Sequence, residues 1–345
     1  MKKLLAGATA AALIAACSHN TQVAERSNLY ATGSSTVYPF TKAIADQFNA
    51  AHPSLPAALV EETGTGPGIQ KFCGGIGNEF PDIADASRQM RAEELADCRS
   101  HGVADIIELE IGIDGIALVQ SPSAPKIALT PKQIYKALAA TPFGEPQKAK
   151  KWKDIDPSLP DIPILVYGPA PGHGTRDAFA ELILIPACQA DPRVVALAPD
   201  KAKLDRICTA IRTDGAYVNA PVDQEKSTIS EIVNPGAIGI VGYSFLEQNG
   251  SRLRAIAISG VEPDAKTIQS GKYAGSRPLY FYVKRSSVQR IAGMKDFVAA
   301  YVAAIGPEGF LAKRGLIPAG KDVLGKTQEL SSTLPASPAA AKASS

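Results

Sequence analysis

Small hydroxyl residues and glycines follow predicted strands in this chain, in a pattern typical of anion binding. Residues 32–37, Thr-Gly-Ser-Ser-Thr-Val, lie between a predicted strand and an amphipathic helix that begins near Pro39. Such a turn presents backbone N–H groups, hydroxyl donors and the positive end of a helix dipole to one point. We therefore interpret Ser34, Ser35 and Thr36 as ligands of an oxyanion.

Loops of the same composition occur at residues 64–68 (Gly-Thr-Gly-Pro-Gly), 86–88 (Ala-Ser-Arg) and 172–176 (Gly-His-Gly-Thr-Arg). One such turn is commonly only a helix N-cap, but four of them after strands favour a binding site. Guanidinium forks match tetrahedral oxyanions, so the two arginines are the expected counter-charges, with a structural ion pair as the alternative for each. The candidates from these loops are Thr65, Gly66, Ser87, Arg88, His173, Gly174, Thr175 and Arg176.

These loops are positioned by strand-like runs that alternate with helical patterns, which predicts α/β lobes with largely parallel sheets. The apolar run 112–120 and the alternating run 278–284 are predicted to cross between two lobes. The first lobe then comprises residues 28–114 plus 280–330, and the second comprises residues 115–279. Two crossings make a hinge, and ligands of such sheets bind at the carboxyl ends of strands.

The N-terminus is predicted to be a targeting segment. Lys2 and Lys3 precede an apolar run that is too short to span a bilayer, and residues 14–17 (Ile-Ala-Ala-Cys) resemble a lipobox. We expect residues 1–16 to be a lipoprotein signal peptide and Cys17 to carry lipid; the alternative is an ordinary signal peptide. Residues 17–27 are predicted to be a linker, and the Ser/Ala/Pro-rich residues 331–345 a disordered tail.

Four cysteines remain beyond Cys17, an even number in a chain expected to be exported, which favours disulfides. Three pairings are possible. We expect Cys73–Cys98 and Cys188–Cys208, because each keeps its loop within one lobe. Buried free thiols are the alternative, and zinc is disfavoured because no two cysteines have C-x-x-C spacing.

Several classes of function are disfavoured. The full chain has a net charge of +2, and without Lys2 and Lys3 its basic and acidic residues are equal in number, so no basic stripe indicates nucleic acid. Motifs of hydrolases and metalloproteases are missing. Residues 320–327 match a P-loop formally, but their place near the end of the chain leaves no room for the βαβ unit that a P-loop requires.

Five segments together resemble the phosphate-binding proteins of the phosphate ABC transporter (PstS type). They are TGSSTVYPF, GTGPG, DIADASR, GHGTRDAF and IGIVGYSFLEQNG, in order over nearly the whole mature chain. The resemblance implies a two-lobed periplasmic-binding-protein fold with two crossing strands as its hinge. It also implies capture of inorganic phosphate, delivery to an ABC permease and no chemistry on the ligand. We expect a periplasmic monomer of a Gram-negative bacterium without a cofactor or metal.

The chain departs from some members of this family at two places. Those members have an aspartate after the serine of the third loop, where this chain has Arg88. That carboxylate accepts the phosphate proton and so rejects sulfate; here we expect Asp177, Asp214 or Glu62 to take the role. The same members carry an arginine ahead of their S-G-T motif, where this chain has Pro169 and Pro171, and their serine is His173 here.

The sequence therefore leads to a binding protein for phosphate import. The alternatives are a carrier of another tetrahedral oxyanion (sulfate, arsenate or molybdate), an exported phosphatase with Ser35 or Thr36 as nucleophile, and an adhesion or sensory lipoprotein. No general base or metal cluster accompanies the two hydroxyls in the sequence, which disfavours the phosphatase.

Overall fold

The computed structural model describes residues 26–171, 174–197, 199–220 and 236–336. Its strands are connected in the order β2-β1-β3-β9-β4-β7-β5-β6, with β8 paired to β4. The strands are β1 (Tyr30–Gly33), β2 (Leu59–Glu62), β3 (Ile83–Ala86), β4 (Ile106–Gln120), β5 (Val166–Pro169), β6 (Tyr217–Ala220), β7 (Ile238–Gly242), β8 (Arg254–Ala255) and β9 (Ser276–Lys284).

Helices cover both faces of these strands. They are α1 (Tyr38–Ala51), α2 (Thr65–Cys73), α3 (Ala92–Ser100), α4 (Pro131–Leu138), α5 (Trp152–Ile155), α6 (Gly174–Phe179), α7 (Ile185–Gln189), α8 (Pro192–Val195), α9 (Lys201–Thr209), α10 (Tyr243–Gln248), α11 (Ala265–Gln269), α12 (Arg285–Arg290), α13 (Met294–Ala304) and α14 (Lys321–Ser332). A π-helical segment, Ala180–Leu184, joins α6 to α7, and 3₁₀ turns occur at Pro142–Gly144 and Ala312–Arg314. None of the helices in the described ranges has the length and apolar character needed to cross a bilayer.

The first lobe begins with a β-α-β-α-β unit. β1 pairs in parallel with β2 on one side and with β3 on the other, so that Gly33 is opposite both Glu62 and Asp85. The carboxyl ends of the three strands therefore lie at one edge of the sheet. The first three predicted binding loops follow these ends, as expected.

The second lobe repeats the parallel arrangement around β5. Val166 is opposite Tyr217 of β6 and Ile238 of β7, and Pro169 is opposite Ala220. The fourth predicted loop follows the carboxyl end of β5. β6 was not anticipated from the sequence, where Tyr217–Ala220 is a short run without clear alternation.

Two strands connect the lobes. Residues 106–115 of β4 pair antiparallel with β9, and residues 116–120 of β4 pair antiparallel with β7 of the second lobe. The pairing of β4 with β9 shifts register between Glu110 and Gly112. Gly112 has φ +156°, and a Cβ there would lie 2.7 Å from the Leu316 side chain, so this bulge needs glycine. The crossing strands are confirmed, although β4 begins at Ile106 and not at residue 112.

Each lobe has its own apolar core. In the first lobe one cluster lies beneath α1 and α13 and includes Phe281 and Phe297, and a smaller one lies beneath α2 and α3. The second lobe contains a single large cluster around Trp152 and Phe179, which Ile317 from the C-terminal segment also joins. Burying such a side chain contributes roughly 1.5–3 kcal/mol, so each lobe is stabilised largely by its own core.

Both expected disulfides are present. Cys73–Cys98 joins the ends of α2 and α3, and Cys188–Cys208 joins α7 to α9. Each bond closes a loop within one lobe. In the loop-entropy model, cross-links of this length stabilise the fold by about 3 kcal/mol each.

The boundaries predicted for the two ends need correction. Arg26, placed in the linker, forms an ion pair with Asp82 at 2.8 Å and is already fixed to the first lobe. At the other end, α14 continues to Ser332 and Leu334 is 3% exposed, so order extends beyond residue 331. The signal peptide, Cys17 and residues 337–345 lie outside the described residues.

Candidate functional site

Backbone hydrogen bonds within the turn after β1 and to β3 fix the conformation of this turn. The Ser34 N–H donates to the Asp85 carbonyl at 2.9 Å, and the Ser34 carbonyl accepts from the Val37 and Tyr38 N–H groups. The buried Ser34 hydroxyl accepts from the Thr36 N–H at 3.2 Å. These contacts use Ser34 to shape the turn. Ser35 and Thr36 lie on its outer side, at the beginning of α1.

The second loop packs directly against this turn. Gly64 has φ +84° and donates its N–H to the Gly33 carbonyl at 2.8 Å. A Cβ on Gly68 would lie 2.4 Å from Gly33 Cα. No larger residue fits at this contact, which brings the first turn of α2 against the end of β1.

Thr65 and Ser87 join the second and third loops. Their hydroxyl oxygens are 2.9 Å apart, and the Ser87 N–H donates to Thr65 Oγ1 at 3.1 Å. Both residues are buried. Gly66 beside them faces open space, since a Cβ on it would have no atom within 4 Å. The three loops of the first lobe thus form one connected surface of hydroxyl and amide groups.

Arg88 is committed to another partner. Its guanidinium donates two hydrogen bonds to Glu94 of α3, from Nη1 at 2.8 Å and from Nη2 at 2.7 Å. This fork raises the pKa of Arg88 above its ordinary value. Arg88 therefore forms the structural ion pair that was the alternative to an anion-binding role, and Glu94 largely compensates its charge.

Arg176 has only neutral partners among the described residues. Its Nη1 donates to the Pro169 carbonyl at 3.0 Å and contacts the Tyr217 hydroxyl at 3.1 Å, and its guanidinium carbon lies 5.0 Å from the centre of the Tyr217 ring. Burial raises the pKa of Tyr217 to about 12, so the phenol is neutral. Arg176 therefore joins the end of β5 to α6 and keeps its positive charge uncompensated by these groups.

The two lobes touch at the binding turns. A Cβ on Gly174 would lie 3.1 Å from the carbonyl atoms of Ser35 and from Thr36 Cα. The Thr36 hydroxyl donates to the Gly174 carbonyl at 3.4 Å, and the Ser35 hydroxyl donates to Asp177 Oδ2 at 2.7 Å. The structure thus brings together the first and fourth predicted loops, including Thr175. His173 lies outside the described residues.

The three carboxylates expected to accept a proton are separated. Asp177 of α6 contacts the site through the Ser35 hydroxyl. Glu62 is exposed at the end of β2, at the sheet edge that carries the binding loops of the first lobe. Asp214 precedes β6 and so lies at the opposite edge of its sheet from Arg176. It pairs with Arg212 at 2.7 Å, which lowers its pKa to about 2. The expectation for Asp214 is therefore corrected.

Sequence reasoning missed two charged residues at the site. Asp85, 1% exposed, accepts a hydrogen bond from the Thr41 hydroxyl at 3.0 Å, and burial raises its pKa to about 8. Arg277, 7% exposed, donates to Thr36 Oγ1 at 3.0 Å. Asp85 is the one charged residue of the otherwise apolar β3, and Arg277 directly precedes the largely apolar run 278–283 of β9; this placement was the available signal.

The described residues contain no cluster of three or more His, Cys, Asp or Glu side chains that could hold a metal ion. The donors at the lobe contact are hydroxyls, backbone amides and guanidinium groups. This set suits a tetrahedral oxyanion.

Comparison with known proteins agrees with this geometry. The family model described as a PBP superfamily domain matches residues 18–304. Protein SphX of Synechococcus elongatus is 30% identical over 291 residues, which cover 82% of this chain and 75% of that protein. The phosphate-binding protein PstS of Staphylococcus epidermidis is 30% identical over 271 residues, covering 77% and 71%.

Solved structures show the same fold. A structure described as a possible phosphate binding protein from Planctomyces limnophilus superposes with a TM-score of 0.71 at 26% identity and covers 88% of this chain and 97% of its own. A phosphate transport receptor from Vibrio cholerae has a TM-score of 0.56 at 19% identity. These relatives confirm the expected class, a binding protein and not an enzyme. The chain belongs to the PBP superfamily, among its PstS-type phosphate-binding proteins.

Proposed function

We propose that this protein binds inorganic phosphate between its two lobes and delivers it to the permease of an ABC importer. The observation that carries the proposal is the contact of the two anion-binding turns at Ser35, Thr36 and Gly174. The aligned relative from Staphylococcus epidermidis is named phosphate-binding protein PstS, which supports phosphate as the ligand. The family also supports an extracytoplasmic location.

In this proposal the first lobe supplies neutral donors. The donors are hydroxyls and amides in the turn before α1 (Ser34, Ser35, Thr36), in the first turn of α2 (Thr65, Gly66) and in the loop after β3 (Ser87). The dipoles of α1 and α2 favour an anion at these N-termini. The second lobe supplies Gly174, Thr175 and the charge of Arg176. Arg88 contributes at longer range, since Glu94 holds its guanidinium.

Asp177 is the proposed acceptor of the phosphate proton. Its carboxylate already accepts a hydrogen bond from the Ser35 hydroxyl. A carboxylate beside the anion requires a donor on the anion, because two facing acceptors cost roughly 1–3 kcal/mol. Phosphate near neutral pH retains a proton and sulfate does not, so Asp177 favours phosphate.

Tethering of the mature chain through lipid on Cys17 completes the proposal. A lipid anchor would hold the binding protein near its permease, with residues 18–25 as the connection to Arg26. Mass spectrometry of the membrane-extracted protein checks this: a diacylglyceryl cysteine at position 17 is expected, and an unmodified N-terminus would remove the tether from the proposal.

Calorimetric titration with phosphate and then with sulfate, at neutral and acidic pH, tests the ligand. We expect a phosphate signal and a much weaker sulfate signal. Equal binding of both anions would instead identify the protein as a carrier of tetrahedral oxyanions in general. Loss of phosphate uptake on deletion of the gene, with uptake restored by the intact gene, tests delivery.

A further inference from the structure

A buried arginine lies where the crossing strands pass between the lobes. Arg277 is near the start of β9, directly opposite Asp114 of β4, and only 7% of it is exposed. A buried guanidinium is costly unless nearby groups compensate its charge and hydrogen bonds. The partners of Arg277 therefore indicate what the residue does.

Three contacts surround the guanidinium, and each comes from a different part of the molecule. Nη2 donates to Thr36 Oγ1 of the first lobe at 3.0 Å. Nη1 donates to Glu181 of the second lobe. Nε lies 3.5 Å from Asp114 Oδ2 on the crossing strand, at a distance too long for a good hydrogen bond, and both atoms are buried without a hydrogen-bond partner among the described residues.

Glu181 is the carboxylate that compensates Arg277. Asp114 is the poorer counter-charge: its side chain is only 19% exposed, and desolvation raises its pKa despite the nearby guanidinium. Glu181 lies in the π-helical segment Ala180–Leu184. Pro186 follows in α7 and lacks the N–H that a regular helix would use there. π-Helical turns of this kind are rare and occur frequently at functional sites.

Thr36 is a candidate ligand, and Arg277 fixes its hydroxyl. The Arg277 donor occupies an acceptor position on Thr36 Oγ1, so the hydroxyl hydrogen must point elsewhere. In the structure it points to the Gly174 carbonyl across the lobe contact, at 3.4 Å. The orientation of a ligand-binding donor and the docking of the second lobe thus depend on the same guanidinium.

We propose that Arg277 is a positioning residue that couples anion binding at Thr36 to closure of the lobes through Glu181. This rests on the proposed function, and it concerns a residue outside the four binding loops. Hinge opening would separate Thr36 from Glu181, and Arg277 would lose at least one of them. Binding of the anion and closure therefore stabilise each other through one side chain.

The test compares phosphate binding by wild type, Arg277→Gln, Arg277→Lys and Glu181→Gln, with calorimetry for affinity and stopped-flow fluorescence for the dissociation rate constant. The matched control is Arg212→Gln. Arg212 is also a buried arginine, but all its contacts lie within the second lobe, at Asp214 and the carbonyls of Ala137 and Ala149. Thermal unfolding of every variant measures the purely structural effect.

We expect Arg277→Gln to weaken phosphate binding by about 10- to 100-fold, mainly through faster dissociation, on the scale of one charged hydrogen bond. Arg277→Lys should restore part of this, and Arg212→Gln should lower the unfolding temperature with unchanged affinity. Thr36→Val should cost less affinity in the Arg277→Gln background than in wild type, because the two share one interaction. Additive effects, or unchanged affinity in Arg277→Gln, would overturn the coupling.

Small-angle X-ray scattering without phosphate separates this proposal from the proposed function. Arg277→Gln should increase the radius of gyration relative to wild type, and Arg212→Gln should not. If wild type binds no phosphate, the phosphate assignment fails, and the scattering result alone decides the coupling: equal radii for wild type and Arg277→Gln would refute it.

Discussion

Each lobe places an arginine in one of its strand-end loops, but the two guanidinium groups have different partners. Arg88 of the first lobe is paired with a carboxylate, Glu94, through two short hydrogen bonds. Arg176 of the second lobe bonds a backbone carbonyl and a neutral phenol. The first lobe therefore offers an anion mainly hydroxyls and amides, and the second lobe offers it charge.

Asp85 extends this difference between the lobes. It lies beneath the turn of the first lobe, and burial holds its pKa at about 8, so it is mostly protonated at neutral pH. A charged carboxylate there would oppose an incoming anion. The first lobe is thus close to neutral around its binding turn. Loops of similar composition therefore bind an anion in different ways: the first lobe through helix dipoles and neutral donors, the second through the charge of an arginine.

Among the residues of the four binding loops, Arg176 should show the largest loss of binding on substitution. Arg176→Ala should cost phosphate binding about 2 kcal/mol or more, the scale for loss of a charged hydrogen bond at a binding site. Arg88→Ala should cost clearly less, because Glu94 already compensates that charge. Calorimetry of both variants measures the difference, and a larger loss for Arg88 would reverse the assignment of charge to the second lobe.

Because burial raises the pKa of Asp85, the free energy of unfolding should depend on pH. The pKa of Asp85 is raised in the folded state, so its stabilising contribution is complete below about pH 4 and is lost as pH rises toward 8. Asp85→Asn, which keeps the shape of the protonated acid, should be more stable than wild type at pH 8 by about 1–2 kcal/mol and similar to it at pH 4. Urea unfolding at both pH values measures this. Parallel pH profiles for the two proteins would show that Asp85 ionises normally.

Asp177 tests selectivity within the second lobe. Asp177→Asn removes the charge that faces the anion and provides a donor, so binding of sulfate relative to phosphate should improve by about 1 kcal/mol, or roughly fivefold. Competition of sulfate against labelled phosphate measures the ratio. Glu62→Gln, at the exposed end of β2, is the matched comparison, and an equal shift there would remove the special role of Asp177.

The close contact between the lobes at Gly174 should give a smaller change in affinity. Gly174→Ala places a Cβ 3.1 Å from Ser35 and Thr36, so the lobes must separate by a few tenths of an ångström, and phosphate affinity should fall by about 0.5–1 kcal/mol. A Cβ added at Gly325 in α14 would have no atom within 4 Å, so Gly325→Ala should leave binding unchanged. Equal affinities for both variants would show that the lobes do not need this close approach.

The local features of the fold were accessible from the sequence. Strands that end in Gly-Ser-Thr loops, the alternating run of β9 and the even number of cysteines predicted two lobes, two crossings and both disulfides. Each of these signals is local, because strand periodicity and loop composition are read from neighbouring residues. β6 and α14 were missed, since short strands without alternation and a helix beside a Ser/Ala/Pro-rich tail have weak local patterns.

The amino-acid sequence alone establishes which residue types could hold an oxyanion and in which loops they lie. Which of them are free to do so depends on the folded arrangement. Arg88 and Glu94 are six residues apart, yet their pairing depends on where α3 begins. Arg277, Glu181 and Thr36 are far apart in the chain and meet only because the crossing strands bring both lobes to one point. Charge compensation depends on distances in space, and spacing along the chain does not set those distances.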